Sequence, residues 1–318
     1  MHGGLGCRAH DFGRLPLEEL AARIADAGFD CLQFAPNKAV AGFEPGPDGG
    51  IDAAFAASAA SAFSRRGLRI SVLGCYINPI HPDSGDRRRA LDRFKAYLRA
   101  APDLGCGIVA TETGSLNADC SYHPGNRGEA PFEELVASVS ELAEEAERRG
   151  VTFCVEGVVR HVAHSPRRLA DLVARVGSPA LAFLLDPVNY LDASNYEDRI
   201  RIIDEAFSRF GPGIRVLHAK DFVPAAAIGK APSASPDEPE RRPESEGAAL
   251  GIVPPGQGLL DYPRILASLE AANPAADILI EDLKPGDMPA ARNYIARTLS
   301  ILHSRKDGPS MDAYAHGR

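Results

Sequence analysis

PFEELVASVSELAEEAERRG at 131–150, VTFCVEGV at 151–158, SPRRLADLVARVG at 165–177 and LAFLLDPVNY at 181–190 read as helix, strand, helix, strand. The first stretch begins with Pro131 and ends at Gly150. That asymmetry suits a helix, whose first turn tolerates a missing N–H and whose end favours glycine. Ser165 is placed as an N-cap, with Pro166 in the first turn behind it. The strand segments are short apolar runs. A strand, a helix of 10–20 residues and another strand form the unit whose strands lie parallel.

The same rhythm extends in both directions. Upstream lie strands at 4–7, 31–34, 68–78 and 107–115, with helices at 15–29, 51–67 and 86–105 between them. Downstream lie strands at 214–222 and 277–283, with helices at 195–211, 261–273 and 288–304. Eight strand-then-helix units predict an α/β fold, a single-domain (β/α)8 TIM barrel over residues 1–304. The competing architecture is a doubly wound open sheet. No G-x-G-x-x-G follows the first strand and no linker divides the chain, which argues against it. Residues 223–250, VPAAAIGKAPSASPDEPERRPESEGAAL, break the rhythm; they are rich in Pro, Ser, Ala and charge. They read as a flexible insertion after the seventh strand, a solvated loop or a lid over the mouth. Residues 305–318 read as a loose tail.

Composition narrows the function. The chain has 318 residues, 45% of them hydrophobic, enough for one large core. A net charge of −8 disfavours nucleic acid as the partner. No apolar run approaches the ~18 residues of a membrane helix, and the N-terminus lacks a charged-then-apolar signal segment. Six cysteines without a CxxC pair read as reduced thiols of a cytoplasmic protein.

The chemistry sits where polar residues end the strands. Side chains alternate faces along a strand. With Val151, Phe153 and Val155 turned outward, Glu156 points inward; by the same count Asp186, His218, Lys220 and Glu281 face the axis, and Glu112 shares a face with Ile108 and Ala110. Glu156, Asp186 and His218 are spaced 30 and 32 residues apart, about one strand–helix unit each. Glu281 lies 63 residues further on, one unit plus the insertion. Four such residues would converge at the C-terminal mouth, where barrel enzymes place their chemistry. Three carboxylates and an imidazole in a partly dry pocket repel unless a cation joins them. The set therefore predicts one divalent metal, Mn2+ first, with Mg2+, Co2+ or Zn2+ as alternatives. The bland alternative is four separate ion-pairing or capping residues.

VEGV around Glu156, LLDPVN around Asp186, LHAKD around His218, GQGLLDY at 256–262 and LIED around Glu281 resemble the xylose isomerase-like sugar phosphate isomerase/epimerase superfamily. NPIHPD at 78–83 and ATETGS at 110–115 fit the same group. Its members include ketose 3-epimerases, hydroxypyruvate isomerase, inosose dehydratase and endonuclease IV. The resemblance implies that Glu156, Asp186, His218 and Glu281 hold the metal, and that Glu156 and Glu281 also move protons on opposite sides of the substrate. It departs at Asn189, where ketose 3-epimerases carry a substrate-contacting His.

The implied activity is a metal-dependent sugar isomerase or epimerase acting on a ketose or keto sugar, by proton removal next to a carbonyl through an enediolate. The alternative is a dehydratase or lyase acting on a keto sugar, inosose or 3-keto-glycoside at the same site. A metal-dependent DNA-repair endonuclease fits the charge poorly, and a non-catalytic sugar-binding barrel is the remaining reading. Glu112, His81, His161, Asn189 and Lys220 are the candidate substrate contacts. Asp221 points the other way, toward a capping role. The expected partner is a small carbohydrate, with neither nucleic acid nor membrane; a homo-oligomer, dimer or tetramer, fits such families.

Overall fold

The alternation closes into a ring. The computed structural model describes residues 3–224 and 250–306. Eight strands form the wall: β1 (Leu5–Arg8), β2 (Cys31–Phe34), β3 (Arg69–Gly74), β4 (Ile108–Glu112), β5 (Thr152–Glu156), β6 (Leu181–Leu185), β7 (Ile214–Ala219) and, last in the chain, β10 (Asp277–Ile280). All pair in parallel, each with its sequence neighbours, and β10 returns to β1 to close the barrel. The helices on the outside are α1 (Leu17–Asp26), α2 (Pro36–Ala39), α3 (Ala53–Ser64), α4 (Ser84–Ala100), α5 (Glu129–Arg149), α6 (Pro166–Val176), α7 (Arg199–Phe210), α8 (Tyr262–Ala272) and α9 (Met288–Lys306). No helix among the described residues is long and apolar enough to cross a membrane.

Local sequence explains the punctuation. The Ser165 hydroxyl accepts from the Arg168 amide at 3.3 Å and opens α6. Gly150 ends α5 at φ 63°, a left-handed turn that costs a residue without Cβ little. Helix α5 starts at Glu129, two residues ahead of the expected Pro131, because a proline anywhere in the first turn lacks only an N–H the helix does not use.

The ends of the irregular segment carry structure that composition does not signal. Strand β8 (Asp221–Pro224) pairs antiparallel with β9 (Leu250–Val253), so Val223, Pro224 and Leu250 belong to a hairpin at the mouth. The remainder of the expected insertion, 225–249, lies outside the described residues, as does the expected tail from 307 onward. Lys306 still belongs to α9.

Two apolar layers fill the molecule. Phe153, Val155, Leu181, Phe183, Leu185, Leu217, Ile278 and Ile280 face the helices. Cys31, Val72, Ala110, Cys154, Ala182, Leu184, Val216 and Leu279 pack inside the barrel. This is the alternation read from the sequence.

The bottom of the barrel is plugged by Asp277, whose carboxylate accepts from Arg69 at 2.7 and 2.9 Å, Ser71 at 2.5 Å and the Gly4 amide at 2.7 Å. Asp277→Ala takes the acceptor from the buried Ser71 hydroxyl and from the half-buried Gly4 amide. It should cost about 3 kcal/mol in chemical denaturation.

Candidate metal centre

Glu156 is the last residue of β5, and Asp186 follows β6 directly. His218 lies in β7 beside Leu279 of β10. Glu281 extends β10, its amide donating to the Ala219 carbonyl at 3.3 Å. All four side chains are buried. Ligand atoms of Glu156, Asp186 and His218 lie within 4.8 Å of one another. Glu281 reaches the same imidazole, its Oε2 3.0 Å from His218 Nδ1, while Glu156 Oε1 is 3.5 Å from that nitrogen.

The far side of the imidazole is held by a residue the motif reading missed. Gln33, on β2 across the barrel, sets its Oε1 2.8 Å from His218 Nε2, and its amide nitrogen donates to the Tyr76 hydroxyl. Nε2–H therefore donates to the glutamine and Nδ1 faces the carboxylates, the arrangement that fixes a ligating histidine. A lone polar residue in the apolar strand CLQF was the available signal. Gln33→Leu keeps the volume but frees the ring. It should weaken divalent-metal binding about 10- to 100-fold, measured by titration of the metal-free protein.

Lys220 is the second basic group on the axis. Its Nζ lies 2.9 Å from Asp186 Oδ2, 2.7 Å from Glu281 Oε1 and 2.6 Å from Asp282 Oδ2. Its backbone is gripped from behind, with the Tyr262 hydroxyl donating to the Lys220 carbonyl at 2.7 Å. The adjacent Asp221 points away, as expected. Its carboxylate accepts from the amides of Phe222, Gly256, Gly258 and Leu260 at 2.8 to 3.1 Å, and so shapes the GQG turn. Arg8 completes the set, bonded to Asp11 and Asp282 and 3.6 Å from Glu281.

Five carboxylates (Asp11, Glu156, Asp186, Glu281, Asp282) thus face three basic groups, Arg8, Lys220 and His218. Negative charge is in excess, and the buried groups respond. Burial pushes the Asp186 carboxyl up to about 8 and raises Glu156. Burial works against a charged His218, yet Glu281 and Glu156 hold it up to about 9. Burial also opposes ionised Glu281, but His218, Lys220 and Arg8 together draw it down to about 2.

The donor set fits a divalent cation. Asp186 Oδ2 is met by the Lys220 ammonium, and His218 Nδ1, facing carboxylate oxygens, becomes a ligand atom once a metal displaces its proton. Both lie among the Glu156 and Glu281 carboxylates, where a cation offsets charge that otherwise forces protonation.

The other candidates divide. The Asn189 amide donates to Glu156 Oε1 at 2.7 Å, so it steadies that carboxylate. Beside it, Tyr190 packs its hydroxyl over Gly157, where any Cβ would lie 2.3 Å away. Glu112 ends β4 as the register partner of Glu156. His161 Nδ1 is 3.5 Å from Glu112 Oε2. His81 is not brought to this cluster: its ring turns back on the Asp83 amide at 3.2 Å, ahead of α4.

Several solved structures share the architecture. The structure of an L-ribulose 3-epimerase superposes with a TM-score of 0.70 at 15% identity, over 99% of this chain and 100% of that one. A xylose isomerase-like TIM barrel protein from Mycobacterium smegmatis, in complex with magnesium, gives 0.67 at 14% identity, over 95% and 99%. A probable 3-DHS dehydratase of petrobactin synthesis from Bacillus anthracis gives 0.66 at 13% identity, over 93% and 99%. At these identities the likeness is one of fold. No curated protein sequence matches the chain significantly. Residues 21–300 match the sequence profile of one family, and its description agrees with the closed eight-stranded barrel: the chain belongs to the xylose isomerase-like TIM barrel family.

Proposed function

We propose that this protein is a divalent-metal-dependent isomerase or epimerase of a ketose or keto sugar. The observation that carries the reading is the buried cluster of ligand atoms from Glu156, Asp186 and His218, with Glu281 against the same imidazole at the barrel mouth. Glu156, Asp186 and His218 would hold the ion, with Glu281 as the fourth ligand and Mn2+ the preferred metal. When bound, that ion supplies Lewis-acid stabilisation of negative charge on a substrate carbonyl oxygen.

The chain's own residues do the rest. Glu281, with the Lys220 ammonium and the Arg8 guanidinium beside it, takes the proton from the carbon beside the carbonyl. Glu156, whose pKa burial raises, returns a proton from the other side. Asn189 holds the Glu156 carboxylate in place. Lys220 sets a fixed positive charge beside the reacting oxygens. Return of the proton to the same carbon inverts it; return to its neighbour gives the isomer.

The engagement of Asn189 with Glu156 favours a second reading. The substrate contact that ketose 3-epimerases make from this position is missing, and the same proton removal followed by loss of a β-hydroxyl gives a dehydratase. The test is incubation of the Mn2+-loaded protein in heavy water with ketoses, inososes and 3-keto-glycosides. Deuterium entering the carbon next to the carbonyl supports the proposal. New conjugated absorbance assigns the dehydratase instead. Absence of exchange with every keto sugar, in protein shown to hold metal, refutes both.

A further inference from the structure

One strand away from the candidate metal residues, Glu112 and His161 bring two acceptor atoms together, and no described residue donates to the histidine's Nδ1. Glu112 and Glu156 end adjacent parallel strands in register, so their side chains enter the mouth side by side. His161, in the loop after β5, is 2% exposed. Its Nε2 lies 3.2 Å from the Cys120 carbonyl. A carbonyl only accepts, so Nε2 carries the hydrogen and Nδ1 carries the lone pair. Nδ1 is buried, makes no hydrogen bond, and lies 3.5 Å from Glu112 Oε2, another acceptor.

The loop that brings the Cys120 carbonyl there is well tied. Ser115 Oγ donates to the Ser121 carbonyl at 2.5 Å, Asn117 to the Tyr122 carbonyl at 2.8 Å, and Asn126 to the Arg160 carbonyl at 2.7 Å. The arrangement is therefore held from outside. Burial lowers the His161 pKa, so the ring stays neutral and does not pair with Glu112 as a cation.

We infer that Glu112 and His161 Nδ1 form a subsite for adjacent hydroxyl groups of a neutral, unphosphorylated polyol, with each hydroxyl donating to one acceptor. Adjacent hydroxyls supply the missing donors in the right number. A phosphate or carboxylate supplies only acceptors and shares the charge sign of Glu112. The cations nearest the axis are committed, Lys220 to Asp186, Glu281 and Asp282, and Arg8 to Asp11 and Asp282. Arg160, beside His161, is itself engaged. This deepens the proposed function, since it rests on a carbohydrate occupying the mouth, and it narrows the substrate to a free sugar or cyclitol.

The test is binding, read independently of turnover. Full-length protein carrying 15N-labelled histidine is titrated with unphosphorylated ketoses and cyclitols and with their phosphate esters. Before ligand, His161 should show the neutral form with hydrogen on Nε2. At least one free polyol should move the Nδ1 resonance and bind roughly tenfold or more tightly than its phosphate ester. Glu112→Gln offers an amide donor to Nδ1 and closes the subsite. It should weaken that polyol roughly tenfold, leave the Mn2+ titration unchanged, and unfold no earlier than wild type; removing a structural ion pair would lower the unfolding temperature. His161→Phe should lose the same binding. An imidazolium at His161, a phosphate ester that binds as well as the free sugar, or no polyol binding at all overturns the inference. Polyol binding without deuterium exchange leaves the subsite standing and removes the proposed activity; exchange on a phosphate ester does the reverse.

Discussion

Glu281→Gln is expected to lower proton exchange on the substrate by about 10²- to 10⁴-fold, the usual contribution of a positioned proton-transfer group. The substitution keeps the shape and removes the basic lone pair. Glu281 is the more telling of the two glutamates, because His218, Lys220 and Arg8 hold it ionised against its burial. The variant is expected to keep the candidate metal site, since Glu156, Asp186 and His218 remain clustered. Metal content together with the exchange rate separates the two roles. Near-normal exchange in a metal-loaded Glu281→Gln protein would remove Glu281 as the base.

The second large effect concerns Lys220. Lys220→Met takes away an ammonium that touches Asp186, Glu281 and Asp282, yet leaves these carboxylates buried. Breaking one side of a buried ion pair usually costs about 3 to 5 kcal/mol. The metal-free variant should lose about that much in a denaturant titration. Saturating Mn2+ should restore part of the loss, because a divalent cation and the lysine answer the same excess of negative charge. A variant as stable as wild type without metal would show that the carboxylates there are protonated and indifferent to Lys220.

The legible part of the site follows one rule. Alternation along each strand put Glu156, Asp186, His218, Lys220 and Glu281 on the inner face, and the structure places them there. The residues that escaped break that rule or lie across the barrel. Asp282 follows Glu281 and should point outward by period two. It adopts φ 59°, a left-handed conformation at the strand end, and its carboxylate meets Lys220 and Arg8. Gln33 is 185 positions from His218, and no local pattern links them. His81 shows the converse: its position after β3 suggested the mouth, but the turn into α4 supplied a nearer hydrogen-bond partner.

By itself, the order of residues determined the eight strand–helix repeats and which ionisable residues face inward at the strand ends. Both depend on short-range periodicity and on Gly, Pro and Ser at element ends. Only the closed barrel decided that Gln33 orients His218 and that Lys220 and Arg8 keep Glu281 charged. It also decided that Asn189 holds Glu156 and that Glu112 meets His161. These relations come from strands far apart in the chain brought within a few ångströms across one axis, where burial lets each charge feel its neighbours with little screening from water.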